Sequence, residues 1–153
     1  MERNMTRAER AVALHQGGSA CSQAVFTVFA KDLDMNERTA HRLSAGFGGG
    51  VGRKGLLCGA LAGGVLAISL LYGAETGEDQ EAKLKTYTVV AKFMDAMEKL
   101  HGSTQCRTLL GGLDLWNPAD QEKMKAEGLS GSVCNVLVKD VVEYVEGLLP
   151  PEM

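Results

Sequence analysis

The longest uncharged stretch of the chain covers residues 58–72 and is apolar at almost every position. Ser69 is its only ordinary polar side chain. A helix that is apolar on all sides is typical of one that is buried on all sides. These residues would rise about 22 Å as an α-helix, which is shorter than the ~30 Å core of a bilayer. We therefore predict a central core helix over 58–72 and no membrane span.

Helical periodicity also dominates the rest of the chain, whereas strand-like alternation and Asn-Gly or Asp-Gly hairpin turns are lacking. The predicted helices cover 6–16, 20–33, 36–46, 58–72, 80–100, a short segment containing Cys106, 118–127 and 132–149. We predict an all-α bundle of about six to eight helices, with over about 60% of residues helical. The bundle forms one domain over residues 1–153, because no segment has the composition of a linker.

Serine and proline mark several of the predicted helix starts. Ser19, Ser103 and either Ser130 or Ser132 are the expected N-caps, and Pro118 fits a first helical position. The helix over 80–100 should bury one broad apolar stripe. Its members are Tyr87, Val90, Phe93, Met94, Met97 and Leu100.

Composition and charge narrow the classes of function. The net charge is −3 and the isoelectric point is near 5.6, which argues against binding to nucleic acid or to an anionic membrane. The first ten residues contain no apolar core of a signal peptide. The expected compartment is therefore the cytoplasm, where thiols stay reduced.

Four cysteines share one local setting. Cys21, Cys58, Cys106 and Cys134 each follow a Gly- or Ser-containing break and lie in the first turn of a predicted helix. The positive end of a helix dipole favours thiolate, so we expect the pKa of Cys58 to lie below the ~8.5 of a free cysteine. Arg53, Lys54 and Arg107 would add positive potential.

The same helix-start setting predicts where the cysteines lie in space. Alternate helix starts share one end of an antiparallel bundle, so the four sulfurs should meet there. We expect a disulfide-capable pair that includes Cys58. The competing interpretation is that the cysteines are ordinary small core residues.

A glycine motif and the three histidines are weaker signals of function. Residues 50–55 match G-x-G-x-x-G, but no strand precedes them, which disfavours dinucleotide binding. His15, His41 and His101 are isolated from one another and from any metal motif. Of the three, His41 is expected to lie nearest to the cysteines.

The order and spacing of Cys21, the box Cys58-Gly59-Ala60-Leu61-Ala62-Gly63, Cys106 and Cys134 resemble the C_GCAxxG_C_C family. The box departs slightly, with Leu57 in place of the glycine before the cysteine. The resemblance implies redox chemistry carried by these four cysteines, with genes often located near transporter genes. It also implies a role for Gly59 and Gly63, either in close packing or in leaving room for a partner sulfur or cluster.

Three functions stay open at this point. The cysteines could act as dithiol/disulfide pairs in thiol exchange or electron transfer with an unknown redox partner and no cofactor. Alternatively, Cys21, Cys58, Cys106 and Cys134 could hold zinc or an iron–sulfur cluster as thiolate ligands. The third interpretation is that the chain is a helical accessory protein that binds a transporter or enzyme, with the cysteines as core residues. The sequence favours the first without fixing the substrate, the oligomeric state or the disulfide connectivity.

Overall fold

The computed structural model describes residues 4–151, and 66% of this range is helical. The eight α-helices found there are α1 (Arg7–Gln16), α2 (Cys21–Ala30), α3 (Glu37–Leu43), α4 (Gly59–Tyr72), α5 (Gln80–His101), α6 (Cys106–Leu109), α7 (Pro118–Ala126) and α8 (Asn135–Glu146). No sheet occurs in this range, where the single β-type backbone bridge joins Leu57 to Gln105. The predicted all-α fold and number of helices are confirmed.

Helix α4 is the centre of the bundle, and its glycines allow other helices to approach closely. A Cβ atom placed on Gly63 would lie 2.7 Å from the carbonyl oxygen of Ser22 in α2. One placed on Gly64 would lie 2.7 Å from both Phe93 of α5 and Val141 of α8. Helices α2, α5 and α8 therefore pack against the backbone of α4 itself.

The two ends of α4 differ from the prediction. Cys58 is the N-cap, so the helix begins one residue later, at Gly59. The first half of α4 is buried, but Leu70 near its end is 38% exposed. Apolar composition alone did not show how far the neighbouring helices extend along α4. Among the helices of residues 4–151, none has the combination of length and apolar sequence that crossing a membrane requires.

Several helix starts are capped as the sequence suggests. The Thr6 side chain accepts from the backbone N–H of Glu9, and the Glu9 side chain accepts from that of Thr6, which completes a capping box at α1. Pro118 is the first residue of α7, and the Asn117 side chain accepts two backbone hydrogen bonds there. These local signals set the boundaries of both helices.

The serine caps predicted for α2 and α6 are wrong. Ala20 is the N-cap of α2, whereas the Ser19 hydroxyl lies 2.9 Å from Nε2 of His41. Gln105 is the N-cap of α6, and the Ser103 hydroxyl accepts from the Gln105 N–H at 3.0 Å. In both cases the serine side chain bonds outside the helix that it was expected to cap.

The start of α8 also differs from the prediction. Neither Ser130 nor Ser132 caps a helix, because both belong to a π-helical turn, Ser130–Cys134, that runs directly into α8. Such turns are rare and often occur at functional sites. This one ends at a cysteine.

Helix α5 buries only part of its predicted stripe. Phe93 and Met97 are fully buried, but Tyr87 is 61% exposed and Leu100 is 65% exposed. The helix has 22 residues and packs mainly against the 14-residue α4, so its ends extend beyond the partner that could cover them.

The glycine-rich loop before α4 forms a left-handed turn. Residues 49–53 all have positive φ angles, including Val51 at 66° and Arg53 at 62°. This conformation is unusual for a β-branched residue. Backbone hydrogen bonds hold the turn closed, such as Gly52 N–H to Gly46 O and Leu56 N–H to Gly50 O, both at 2.9 Å. Strained backbone of this kind tends to occur at functional sites.

Arg7 anchors the beginning of α1 to the rest of the bundle. Its guanidinium is buried and pairs with Asp32 after α2 and, at 2.6 Å, with Glu146 at the end of α8. The guanidinium also lies 5.1 Å from the ring centroid of Phe29. These contacts fix α1 across α2 and α8, and the far end of α1 reaches the cysteines.

Candidate functional site

All four cysteines line one cavity with a volume of about 970 Å³. Cys21 and Cys106 begin α2 and α6, Cys58 caps α4, and Cys134 immediately precedes α8. All four are free thiols. The four helix starts therefore meet in space, as the helix-start pattern predicts.

Cys21 and Cys134 are neighbouring thiols and are less buried than Cys58 and Cys106. Interaction with the Cys21 side chain lowers the pKa of Cys134, although burial opposes the effect. The same interaction raises the pKa of Cys21 well above its ordinary value, and burial and the charge of a Cys134 thiolate raise it further. The pair therefore loses one proton easily and the second with difficulty.

Cys58 and Cys106 lie deeper in the cavity wall, with 5% and 9% of their surface exposed. Two backbone hydrogen bonds join their segments: Cys58 N–H to Thr104 O at 2.8 Å and Cys106 N–H to Leu56 O at 2.7 Å. This short bridge places the starts of α4 and α6 side by side. The expectation of a disulfide-capable pair that includes Cys58 stays a prediction, and Cys106 is the cysteine whose segment is bonded to that of Cys58.

The prediction of a lowered pKa at Cys58 is wrong. Burial raises its pKa, and this effect outweighs the influence of the nearby backbone N–H groups of Leu61 and Ala60, which lower it. The helix start thus favours the thiolate as expected. The sequence could not show how completely Cys58 would be removed from water.

Cys106 is a very weak acid in the folded protein. Burial raises the pKa of Cys106 to about 12, and the charges of Cys58 and Cys134 raise it as well. The guanidinium of Arg107 opposes these effects but is too exposed to outweigh them. At neutral pH Cys106 is a protonated thiol.

His15, at the end of α1, is a site residue that the sequence analysis missed. Its Nε2 atom lies 3.3 Å from the sulfur of Cys21, and its Nδ1 atom lies 2.5 Å from Oδ1 of Asn135. The only sequence signals are weak ones: His15 lies six positions before Cys21, and Asn135 directly follows Cys134. Neither forms a recognised motif.

His41 is not the histidine that reaches the cysteines. Its ring bonds to the Ser19 hydroxyl at 2.9 Å and to the Gln23 side chain at 3.1 Å. His101 pairs instead with Asp140 at 3.1 Å. The expectation that His41 lies nearest to the thiols is therefore wrong.

Gly59 and Gly63 differ in their relation to the cavity. Gly59 lines it, and a Cβ atom there would lie 3.5 Å from the Cβ of Cys21 and 3.1 Å from the carbonyl oxygen of Phe47. Gly63 lies away from the cavity, against Ser22 and Val25. Helix α2 occupies the space that the missing side chain of Gly63 leaves, which is the close packing expected of this glycine.

The four thiols are not gathered into a ready-made metal centre. Within residues 4–151 no group of three or more His, Cys, Asp or Glu side chains is placed so that it could hold a metal ion. A zinc or iron–sulfur site needs several thiolates at one point. The alternative of a metal or cluster held by these four cysteines stays a prediction.

The lining of the cavity also includes the left-handed turn and Trp116. The indole Nε1–H donates to the carbonyl oxygen of Gly52 at 3.0 Å, and the guanidinium of Arg53 lies 5.8 Å from the ring centroid. Trp116 is 60% exposed. It therefore connects the turn to the loop before α7 at the rim of the cavity.

A comparison with known protein families points to the same four cysteines. The family described as "Putative redox-active protein (C_GCAxxG_C_C)" matches residues 19–148, which include all four cysteines. No match was found among curated proteins or solved structures. Because the family match covers nearly the whole chain, this protein belongs to the C_GCAxxG_C_C family.

Proposed function

We propose that this protein carries out thiol–disulfide exchange, with Cys134 as the nucleophile and Cys21 as its partner. The observation that carries the proposal is that Cys21 and Cys134 line one cavity and lie close enough for each to shift the pKa of the other. A thiolate is the nucleophilic form of cysteine, and a lowered pKa makes it more abundant at neutral pH. A second thiol nearby is placed to complete a disulfide.

The proposed reaction takes two steps. The Cys134 thiolate attacks a substrate disulfide, which forms a mixed disulfide and releases one thiolate. Cys21 then attacks the Cys134 sulfur, forms the Cys21–Cys134 disulfide and releases the second substrate thiol. Two electrons pass from the protein dithiol to the substrate disulfide, and the reverse sequence oxidises a substrate dithiol.

The cavity suggests the size of the substrate. Its volume of about 970 Å³ lies near the upper end of the range typical of small-molecule sites, ~300–1,000 Å³. A low-molecular-weight disulfide would fit, with its sulfurs next to Cys134. Gly59 lines the cavity beside Cys21 and leaves this space open.

We assign Cys58 and Cys106 to a second, slower pair. Both line the same cavity, and their raised pKa values keep them protonated at neutral pH. They would exchange with the Cys21–Cys134 disulfide only after it has formed. This order follows from acidity, since the thiolate is the attacking species.

Redox titration tests the proposal. The protein in which Cys58 and Cys106 are both replaced by serine, here called the two-cysteine protein, is equilibrated in glutathione buffers of increasing oxidation. Free thiols are then counted by mass after alkylation. We expect both thiols to disappear in one two-electron transition without added mass from glutathione. Only mixed disulfides with glutathione, at any buffer composition, would contradict the proposal.

Two further variants serve as matched controls for this titration. Replacing Cys21 or Cys134 by serine in the two-cysteine protein leaves one thiol. Each should then gain the mass of one glutathione. A midpoint equal to that of the two-cysteine protein in either control would show that the two thiols do not act together.

A further inference from the structure

We infer that His15 is a catalytic base that takes the proton of Cys21 as Cys21 closes the disulfide with Cys134, and that Asn135 positions it. This inference rests on the proposed thiol–disulfide exchange and adds two residues to it. Both residues lie outside the four-cysteine motif of the family.

The hydrogen bond to Asn135 fixes which nitrogen of His15 carries the proton. An amide oxygen can only accept, so Nδ1 of His15 must donate to Oδ1 of Asn135 across 2.5 Å. In the neutral ring, Nε2 is then the acceptor. That atom lies 3.3 Å from the sulfur of Cys21, so it can accept the Cys21 proton once Cys134 is part of a mixed disulfide and no longer attracts it.

Three elements hold this arrangement in place. α1 carries His15 in its last turn and packs against both α2, which begins with Cys21, and α8, which begins with Asn135. The connection from α1 to α2 is short and tied back by the hydrogen bond from Ser19 N–H to Leu14 O at 3.0 Å. Arg7 anchors the other end of α1. The imidazole is therefore placed by the fold and not by a flexible loop.

The second step of the exchange is the one that requires a base. In the mixed disulfide the Cys134 thiolate no longer raises the pKa of Cys21, but burial still does, so this thiol holds its proton when it has to attack. In the inferred step the proton moves from Cys21 to Nε2 of His15 while the Cys21 sulfur bonds to that of Cys134. The bond from Cys134 to the substrate sulfur breaks, and its electron pair leaves with the substrate. The imidazolium then returns the proton to the departing thiolate.

The other two histidines provide a contrast. Within residues 4–151, His15 is the only histidine whose ring is hydrogen-bonded to a cysteine, since His41 bonds to Ser19 and Gln23 and His101 pairs with Asp140. His41 lies on the neighbouring α3 without touching a sulfur. Its replacement by glutamine is therefore a matched control.

A two-phase reaction with an aromatic disulfide tests the inference. In the two-cysteine protein, dithiobis(nitrobenzoate) should release one coloured thiolate when Cys134 attacks and a second when Cys21 closes the disulfide. We expect His15→Gln to slow the second release by a factor on the order of 10 or more, and the first by less than about 2. His41→Gln should leave both phases as they are. An unchanged second phase in His15→Gln would overturn the inference.

Chemical rescue separates a base from a structural residue. His15 lines the cavity, so His15→Ala leaves a space that added imidazole can enter. We expect imidazole, but not sodium chloride at the same ionic strength, to accelerate the second release in His15→Ala. If imidazole does not accelerate the second release in a His15→Ala protein that retains its helical circular dichroism, His15 does not act as a base. Where His15→Ala does not fold, His15→Gln decides the question.

Asn135 is tested by replacing its acceptor. Asn135→Asp keeps an oxygen facing Nδ1–H and should retain the second-phase rate within a few-fold, whereas Asn135→Ala should slow it. Equal rates in the two variants would remove the positioning role. If the two-cysteine protein releases no second thiolate at all, the proposed thiol–disulfide exchange is wrong. If the second thiolate is released at the same rate with and without His15, only the role of His15 is wrong.

Discussion

Nδ1 of His15 and Oδ1 of Asn135 lie 2.5 Å apart, although 120 positions separate the two residues in sequence. The contact joins the end of α1 to the start of α8, and it does so next to Cys21 and Cys134. The site thus combines two thiols, an imidazole and an amide at the junction of three helices. Its chemistry depends on how these helices pack, and several consequences can be measured.

The most reactive thiol should be Cys134. Its pKa is lowered by interaction with the Cys21 side chain. The pKa of Cys21 is raised by the same interaction and by burial, and the pKa values of Cys58 and Cys106 are raised by burial. Iodoacetamide should therefore modify Cys134 first near neutral pH, as read by peptide mass mapping. Cys21→Ala removes this interaction and should move the alkylation profile of Cys134 to higher pH. Cys106→Ala is the control, and an equal shift in both variants would contradict the assignment.

Alkaline pH should destabilise the fold through Cys106. Its pKa in the folded protein is about 12, above the ~8.5 expected for an unfolded chain. Stability from this group is therefore complete below the unfolded pKa and is lost as pH rises toward the folded value. Urea unfolding under reducing conditions, from about pH 7 to about pH 11, should show a shallower decline for Cys106→Ser than for the parent. Parallel curves would show that Cys106 is not the cause.

Gly63→Ala should weaken the contact between α4 and α2. The added Cβ would lie 2.7 Å from the Ser22 carbonyl oxygen and 2.9 Å from the Cβ of Val25, and backbone atoms yield little. We expect the free energy of unfolding to fall by about 1–3 kcal/mol, as is usual for overpacking. Gly77→Ala is a matched control, because no atom lies within 4 Å of its added Cβ. Equal unfolding midpoints for the two variants would refute the close approach.

Arg7→Ala should loosen α1. The substitution removes a buried guanidinium that binds Asp32 and Glu146, although both carboxylates are exposed enough to regain water. We expect a loss of about 1–3 kcal/mol in the free energy of unfolding. Arg38→Ala, at an exposed position on α3, should change it little. Denaturant unfolding of the two variants gives the comparison, and a similar small loss in both would contradict the anchoring role.

Local sequence signals predicted the helical fold because helix formation and helix ends depend on residues that are adjacent in the sequence. Pro118 and the glycine breaks mark helix boundaries through their own backbone chemistry, and the structure follows them. Other signals failed because they depend on distant packing. Ser19 bonds to His41 instead of capping α2, and Tyr87 of the predicted apolar stripe is exposed.

The candidate site could be predicted only in part. The shared helix-start setting placed four cysteines together, since that setting is local and repeated. Which two thiols lie next to each other depends on how α2 and α8 rotate against each other, and this cannot be read from spacing. The pKa of Cys58 depends on burial, and the role of His15 on a contact with the distant Asn135, so both required coordinates.

The identity of the first disulfide tests the central claim most directly. The wild-type protein, fully reduced, is treated with a limiting amount of diamide, alkylated at once and mapped by peptide mass spectrometry. The proposed exchange predicts that the first linked peptides join Cys21 to Cys134, with Cys58 and Cys106 alkylated as free thiols. A first disulfide that joins Cys58 to Cys106, or either of them to Cys21 or Cys134, would contradict it.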